Sequence, residues 1–235
     1  AFTAQKQFSA SAAHELRTPL AVMQTNLEVF ARKKTPTIEE YQDIFGMIQN
    51  QTERLSHLSE VLLDMTGIQS VERSDFISLA ELTDEVCCDL ASIADQKKVE
   101  LIQEEGDCTV TGSYLLLYRA VYNLVENAIK YNHPGGKVTV KISQKKAVPD
   151  PFAHSQSTDC AFVEVTDTGI GISPEFQEKI FDPFFRVDKS RSRAMGGAGL
   201  GLALVNEIAR QHGGQVKVLA SSEKGSTIAL ILPLS

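Results

Sequence analysis

The second of two helical stretches carries apolar residues at nearly every alternating step of three and four. The positions are Tyr41, Ile44, Ile48, Gln51, Leu55, Leu58, Leu62 and Met65, of which seven of the eight are apolar. A stripe this narrow is a coiled-coil seam rather than the broader buried face of an ordinary surface helix. A preceding helix is predicted over 5–34, with Ala13, Leu16, Leu20, Met23, Leu27 and Phe30 at similar spacing. Thr35-Pro36-Thr37 interrupts it, and Thr37 with Glu40 has the Thr-x-x-Glu form of a capping box that opens the second helix. Two seams joined by a short break predict an antiparallel helical hairpin. One hairpin buries little by itself, so two are expected to pair into a dimeric four-helix bundle. A helical stalk without chemistry would show the same heptads.

From residue 67 the pattern changes. Residues 67–74 are polar and irregular, as in a linker. Helices are predicted over 79–96, 113–131, 173–180 and 199–212. Strands are predicted over 99–103, 136–143, 160–167, 215–220 and 225–232, with an exposed, proline-bearing loop at 144–159. Strands that arrive consecutively predict an α/β sandwich with helices on one face, so the whole chain is expected to be α+β.

Charge narrows the partners. The formal net charge is −7 and the pI near 5.3, which argues against nucleic acid. The four cysteines have no CxxC spacing and read as reduced thiols of a cytoplasmic domain. No apolar run approaches the ~20 residues of a membrane span, and no signal peptide is seen. The chain begins inside a helical pattern, so it reads as a soluble piece of something longer, with no direct membrane contact of its own.

Four constellations carry chemistry. In His14-Glu15-Leu16-Arg17-Thr18-Pro19-Leu20, placing Ala13 and Leu16 in the seam turns His14 and Thr18 outward, one turn apart. Neutral imidazole is a competent nucleophile near neutral pH, and Glu15 can hold or accept its second proton. Pro19 removes a helical hydrogen bond beside the histidine. The second is Asn123, Asn127, Lys130 and Tyr131 at i, i+4, i+7 and i+8, one helix face. Its amide oxygens suit Mg²⁺, and its lysine suits phosphate. A solvated helix face has the same spacing.

Third, Asp167-Thr-Gly169-Ile-Gly171 follows an apolar strand. A carboxylate there can accept from an exocyclic amine such as adenine's, and the glycines let backbone pass close to a flat ring. Fourth, Gly196-Gly197-Ala198-Gly199-Leu200-Gly201-Leu202 leads into a helix whose N-terminus favours phosphate, without the Gly-Lys-[Ser/Thr] of a Walker loop. Between the last two lies Phe181-Asp-Pro-Phe-Phe185-Arg186, then Lys189, Arg191 and Arg193, a basic stretch suited to a lid over polyphosphate. Each of these also has a plain reading as a turn or solvated loop.

In their order along the chain, these segments resemble the HisKA-type sensor histidine kinases of two-component systems. HELRTPL is similar to the family's H-box, NLVENAIKYN to its N-box, DTGIGI to its G1 box, FDPFFR to its F-box and GGAGLGLAL to its G2 box. The resemblance implies a dimerisation and phosphotransfer domain at 1–68 and a Bergerat-type ATP-binding domain at 75–235. It implies that His14 accepts phosphate from ATP, that Glu15 is its proton partner, and that Thr18 positions water for a phosphatase reaction. It implies that Asn127 ligates Mg²⁺, with Asn123, Lys130, Tyr131, Arg186 and Arg191 around the phosphates. Asp167, with Gly169 and Gly171, would read adenine, and Gly197, Gly199, Leu200, Gly201 and Leu202 would close over the phosphates. A response regulator would receive the phosphoryl group, and the full-length protein would lie in the bacterial inner membrane with this part in the cytoplasm. Ala13, Ser113 and Ala198 depart from the family's usual residues. ATPases of the gyrase type share the nucleotide fold but place a water-activating glutamate where this chain has Asn123. A dimeric scaffold that only binds ATP is the other alternative.

Overall fold

The computed structural model describes residues 2–68, 71–146, 159–187 and 199–234. Helices α1 (Phe2–Ala31) and α2 (Ile38–Gly67) pack as the expected hairpin. The capping box closes as read. Thr37 N–H donates to Glu40 Oε2 (3.0 Å), and Glu40 N–H donates to Thr37 Oγ1 (3.2 Å). The Phe30 and Tyr41 rings meet edge to face, 5.0 Å apart, across the turn. Pro19 lies inside α1 and is buried.

Toward the C-terminal end of α2 the seam residue Leu58 is buried and Leu62 and Met65 are half-buried, with Val61 beside them also buried, where the helix packs against the second half of the chain. The α1 seam is only partly covered. Leu16, Met23 and Phe30 are half-buried, but Ala13, Leu20 and Leu27 are exposed, contrary to the reading of Ala13 as a seam residue. In a single hairpin each helix has one neighbour, which is too little to cover a whole stripe. Val29, Ile38, Phe45 and Leu63 are exposed on the same two helices.

Beyond the hairpin, β1 (Asp75–Ser78) pairs antiparallel with β3 (Thr109–Gly112). The main sheet contains β2 (Glu100–Gln103), β4 (Lys137–Lys146), β5 (Asp159–Asp167), β6 (Gln215–Ser222) and β7 (Gly225–Pro233). Its order is β2-β4-β5-β7-β6, with β2 parallel to β4 and the remaining pairs antiparallel. Helices α3 (Leu79–Lys97), α4 (Tyr114–Lys130) and α5 (Gly201–Gln211) form the second layer, with α4 between the other two. A row of inward side chains, Ile142, Val163, Leu230 and Val216, crosses the sheet in register and joins the helices in one core. On the opposite face Cys160, Phe162, Ala229 and Ile231 form a separate small cluster. On the solvent side Tyr114 O–H donates to Glu85 and Tyr118 O–H to Asp89, which keys α4 to α3; the bond to Glu85 raises the Tyr114 pKa to about 12, and burial first, then the bond to Asp89, raises that of Tyr118.

Several boundaries differ from the sequence reading. Strands β1 and β3 were not anticipated, because four residues are too few to display a period of two. The helix expected at 173–180 is two separate 3-10 turns, Pro174–Phe176 and Lys179–Phe181. Pro174 starts the first without an N–H, and Pro183 forces Asp182 into an extended conformation that ends the second (ψ 139°). The linker is not loose at its start. Ile68 is 0% exposed, and Arg73 Nη1 donates to its carbonyl (3.1 Å). Residues 144–146 continue β4 rather than opening a loop, and 147–158 lie outside the described residues.

Ile68→Ala is expected to destabilise the protein by about 2–5 kcal/mol by leaving a cavity in the core. Leu115→Ala, on the exposed side of α4, should change stability by no more than about 0.5 kcal/mol. The urea midpoints of the two variants check this contrast.

Candidate functional site

The C-terminal half of α4 faces the N-terminal end of α5 across a cavity of about 430 Å³. Helix α4 can face both ways because Leu117, Val121, Leu124, Val125 and Ala128 are buried on one side. The other side brings Asn123, Glu126, Asn127, Lys130 and Tyr131 to the cavity. Asn123 Nδ2 donates to the Arg119 carbonyl (2.8 Å), which fixes the amide and leaves its oxygen toward α5. The Asn127 side chain makes no hydrogen bond among the described residues. Glu126, next to Asn127 along the helix, also lines the cavity. Burial lowers the pKa of Lys130, and Lys97, Arg186 and Arg54 lower it further, while the Glu126 carboxylate opposes them. Three other cations therefore converge near Lys130.

Asp167 ends β5 at the opposite wall. Its Oδ1 accepts from Gly169 N–H (2.8 Å) and its Oδ2 from Ser226 O–H (2.7 Å). Ser226, buried on β7, lines the cavity and was not picked out from the sequence. Only the sheet register, which sets Asp167 opposite Ser226, makes it legible. Val165, Ile170, Ile172 and Ile228 give this end apolar walls. The two glycines differ in role. Gly171 lines the cavity with φ +67°, whereas Gly169 does not; a Cβ there would lie 2.5 Å from the Tyr131 carbonyl oxygen. That same carbonyl accepts from Ile170 N–H (3.3 Å), and Lys97 Nζ donates to the Lys130 carbonyl (3.2 Å). The last carbonyls of α4 thus find partners, and one of them ties the glycine loop to the helix.

Gly199, Leu200, Gly201 and Leu202 form the third wall, and Arg186 and Phe185 line the rim. Among the described residues no side chain caps the start of α5, which leaves its first N–H groups open to an anion. A Cβ on Gly201 would sit 2.6 Å from Asn123 Oδ1, so glycine is what lets α5 approach the α4 amides. Arg191 and Gly197, with the rest of 188–198, lie outside the described residues.

His14 stands apart from this cavity, exposed on α1. Thr18 shares its shallow groove, as the i, i+4 spacing required. The Thr18 hydroxyl donates to the His14 carbonyl (3.0 Å), leaving its lone pairs to accept. Glu15 is half-buried and paired with Arg54 of α2 (3.4 Å). The hairpin also reaches the cavity. Val61 contributes to its lining, and the Phe8 ring packs 5.5 Å from the Phe184 ring.

Fold and cavity define a two-part protein, in which a hairpin presenting a histidine adjoins a mixed α/β layer with a polar, glycine-walled cleft. Residues 112–235 match the family described as "Histidine kinase-, DNA gyrase B-, and HSP90-like ATPase", and residues 4–70 match "His Kinase A (phospho-acceptor) domain". The chain belongs to the HisKA-type sensor histidine kinases. It is 34% identical to the sensor histidine kinase RppB of Synechocystis sp., over 98% of this chain and 49% of that protein. It is 31% identical to the sensor histidine kinase WalK of Bacillus subtilis, over 97% of this chain and 36% of the relative. The chain therefore spans about half the length, or less, of these relatives. Among solved structures, histidine kinase AdeS of Acinetobacter baumannii shares the fold with a TM-score of 0.69 at 22% identity, over 94% of this chain and 98% of that one.

Gly201→Ala is expected to destabilise the protein by about 1–3 kcal/mol, since the methyl group must displace a tethered amide. In an Asn123→Ala background the same change should cost less, a coupling that thermal unfolding of the double-mutant cycle reads directly.

Proposed function

We propose that this chain is the ATP-dependent core of an autophosphorylating protein-histidine kinase, with His14 as the phosphoacceptor. The observation that carries the reading is the convergence of three separate motifs on one cavity: the amides of α4, the carboxylate of Asp167 and the open start of α5. Asp167 accepts adenine's exocyclic amine with lone pairs that Gly169 and Ser226 leave unused. The apolar walls take the ring. The N–H groups from Gly199 to Leu202, together with Lys130, Tyr131, Asn123 and Arg186, take the phosphates, and Gly197 and Arg191, outside the described residues, are assigned to phosphate binding on their motifs alone. Asn127, with a side-chain oxygen that no donor among the described residues occupies, is the Mg²⁺ ligand. Bound Mg²⁺ would supply charge neutralisation on the phosphate oxygens.

One nitrogen of the neutral His14 imidazole attacks the γ-phosphorus. The bond from that phosphorus to its bridging oxygen breaks, ADP leaves, and Glu15 takes the proton from the other ring nitrogen. Arg54 holds Glu15 in place for this step. The phosphoryl group then passes to an aspartate of a response regulator docked on the hairpin. In the reverse role, Thr18 orients a water against the regulator's phospho-aspartate. Residues 1–68 form the dimerisation and phosphotransfer domain, and 75–235 the ATP-binding domain. The exposed Leu20, Val29, Ile38, Phe45 and Leu63 support a homodimer joined through the hairpins. Among the described residues no helix is long and apolar enough to cross a membrane. Other parts of a full-length protein would hold it in the bacterial inner membrane, with this part on the cytoplasmic side.

Glu126 at the cavity favours one competing reading, hydrolysis with that carboxylate as the base that activates water. The product separates the two, because only the kinase gains an acid-labile label on protein. His14→Gln should abolish that label while ATP affinity stays within about threefold of the unmodified chain, since His14 lies outside the cavity. Label retained in the variant would sink the assignment.

Thr18→Ala should leave autophosphorylation near normal and lengthen the lifetime of the phosphorylated regulator by about tenfold or more, the scale of a lost positioning group. A parallel loss of both activities would instead make Thr18 a support for the helix at Pro19. The two rates are measured on the same preparation.

A further inference from the structure

Helices α4 and α5 run antiparallel and touch at both ends. At one end, Gly201 meets Asn123 at the cavity. At the other, the ring of His212, the residue that ends α5, meets Ser113, the residue that begins α4. From Ser113 to Asn123 and from Gly201 to His212 the two helices advance nearly equally, at ~1.5 Å per residue. The far contact is thus a second rung of the same ladder.

Its chemistry is fully specified. Ser113 N–H donates to His212 Nε2 (3.1 Å), so that nitrogen must be an acceptor. Nδ1 then carries the proton and donates to the Ile208 carbonyl (2.8 Å). Both ring nitrogens face backbone groups that cannot change role. A Cβ on Gly112 would lie 2.6 Å from the ring's Cδ2, so glycine at 112 is what admits the imidazole. Ser113 makes no side-chain cap of its own. The first two N–H groups of α4 are instead held from outside, by His212 and, at Tyr114, by Asp75 of β1 (3.2 Å).

We infer that His212 is a positioning residue for the nucleotide site, its neutral imidazole fixing the axial register between α5 and α4 and thereby the distance of the Gly201 amides from Asn123 and Asn127. The inference rests on the proposed ATP site. It adds that the site is set from the opposite end of both helices. Protonation would put an N–H against the Ser113 N–H and release the rung. Burial is the main cause that holds the ring's pKa below its ordinary value; the hydrogen bond to the Ile208 carbonyl opposes it, and Arg73 of the linker adds to the lowering. The groups facing the ring from α4 and β3 are uncharged, and Asp75 is engaged on the neighbouring N–H. The folded form therefore resists protonation more than the unfolded one. The stability that the rung contributes is complete above the unfolded pKa of about 6.5 and is lost as pH falls from there, and the rung itself opens as pH passes the lower, folded value.

The test uses the whole chain, ADP with Mg²⁺ as the probe, and calorimetric titration from about pH 7.5 to about 5.5. His212→Phe keeps the ring but removes the acceptor, and it should weaken ADP binding about tenfold at neutral pH, as a misplaced binding group does. His212→Gln restores an acceptor that does not titrate. It should recover most of the affinity and lose the wild type's decline at low pH. The side-chain amide resonances of Asn123 and Asn127, recorded without nucleotide, should shift with pH in the wild type and stay fixed in His212→Gln. A purely structural role would lower the melting temperature and leave both affinity and pH profile unchanged. The proposal is overturned if His212→Phe binds ADP as the wild type does, or if His212→Gln keeps the wild-type pH dependence of the amides. Should His212→Phe fail to fold, the Gln variant and the amide titration still decide. Asp167→Asn is the control for the site itself. If it binds ADP normally, the adenine reading fails, while the nucleotide-free amide shifts still decide the role of His212.

Discussion

Helix α4 must satisfy two demands at once, and the rest of the nucleotide-binding half is arranged around that conflict. Its inner side belongs to the single apolar core shared by α3, α5 and the sheet. Its outer side has to keep amides and a lysine unspent at the cavity. A helix held only by its greasy side could slide or roll along it, because apolar contact has no direction. Direction comes from hydrogen bonds at its two ends. Ser113 and Tyr114 N–H groups are gripped at the start, and the Lys130 and Tyr131 carbonyls at the finish. Those grips come from β1, the end of α3, the end of α5 and the glycine loop, so four separate elements set where the amides stand.

The hairpin is governed differently. Its apolar stripe is only partly covered, and an ion pair crosses between its two helices. Arg54 pairs with Glu15 across the two helices and also bears on Lys130 in the other half of the chain. The groups that would surround a transferred phosphate therefore already sense one another, although His14 and the cavity belong to different elements. Val61 at the cavity and Phe8 against Phe184 give the same adjacency an apolar component.

Much of this is legible in the sequence because periodicity and capping are local. The capping box at Thr37, the long helices and the five strands of the main sheet follow from spacing alone. Most of the cavity residues are legible too, since Asn123, Asn127, Lys130 and Tyr131 need only helical geometry to share a face. What stays hidden depends on pairing between distant segments. Ser226 means nothing until β7 lies beside β5, and Ile68 looks like linker until the core closes over it. His212 shows no pattern of its own, because its partner is a backbone N–H ninety-nine residues away. Strands β1 and β3 carry too few residues to alternate visibly. Proline at 174 and 183 breaks a segment whose composition otherwise suits a helix. Ala13 and its neighbours fit a seam by spacing, but one hairpin is too narrow to fill it.

The topology also has a consequence for how the chain assembles. Helices α1 and α2 meet across a turn of a few residues, a contact whose closure costs little chain entropy. In the main sheet, by contrast, β2 must wait for β4 to emerge beyond β3 and α4, and Val163 on β5 must wait for Leu230 on β7. Loop closures of that length precede any reward, so sheets wired this way form late and slowly. Synthesis runs from the N-terminus, which lets the hairpin take shape while the strands are still being made. The C-terminal turn of α2, with Leu58, Val61 and Ile68, would then present an apolar patch with no core yet behind it. For that interval a patch that ends up buried is a patch open to mispairing.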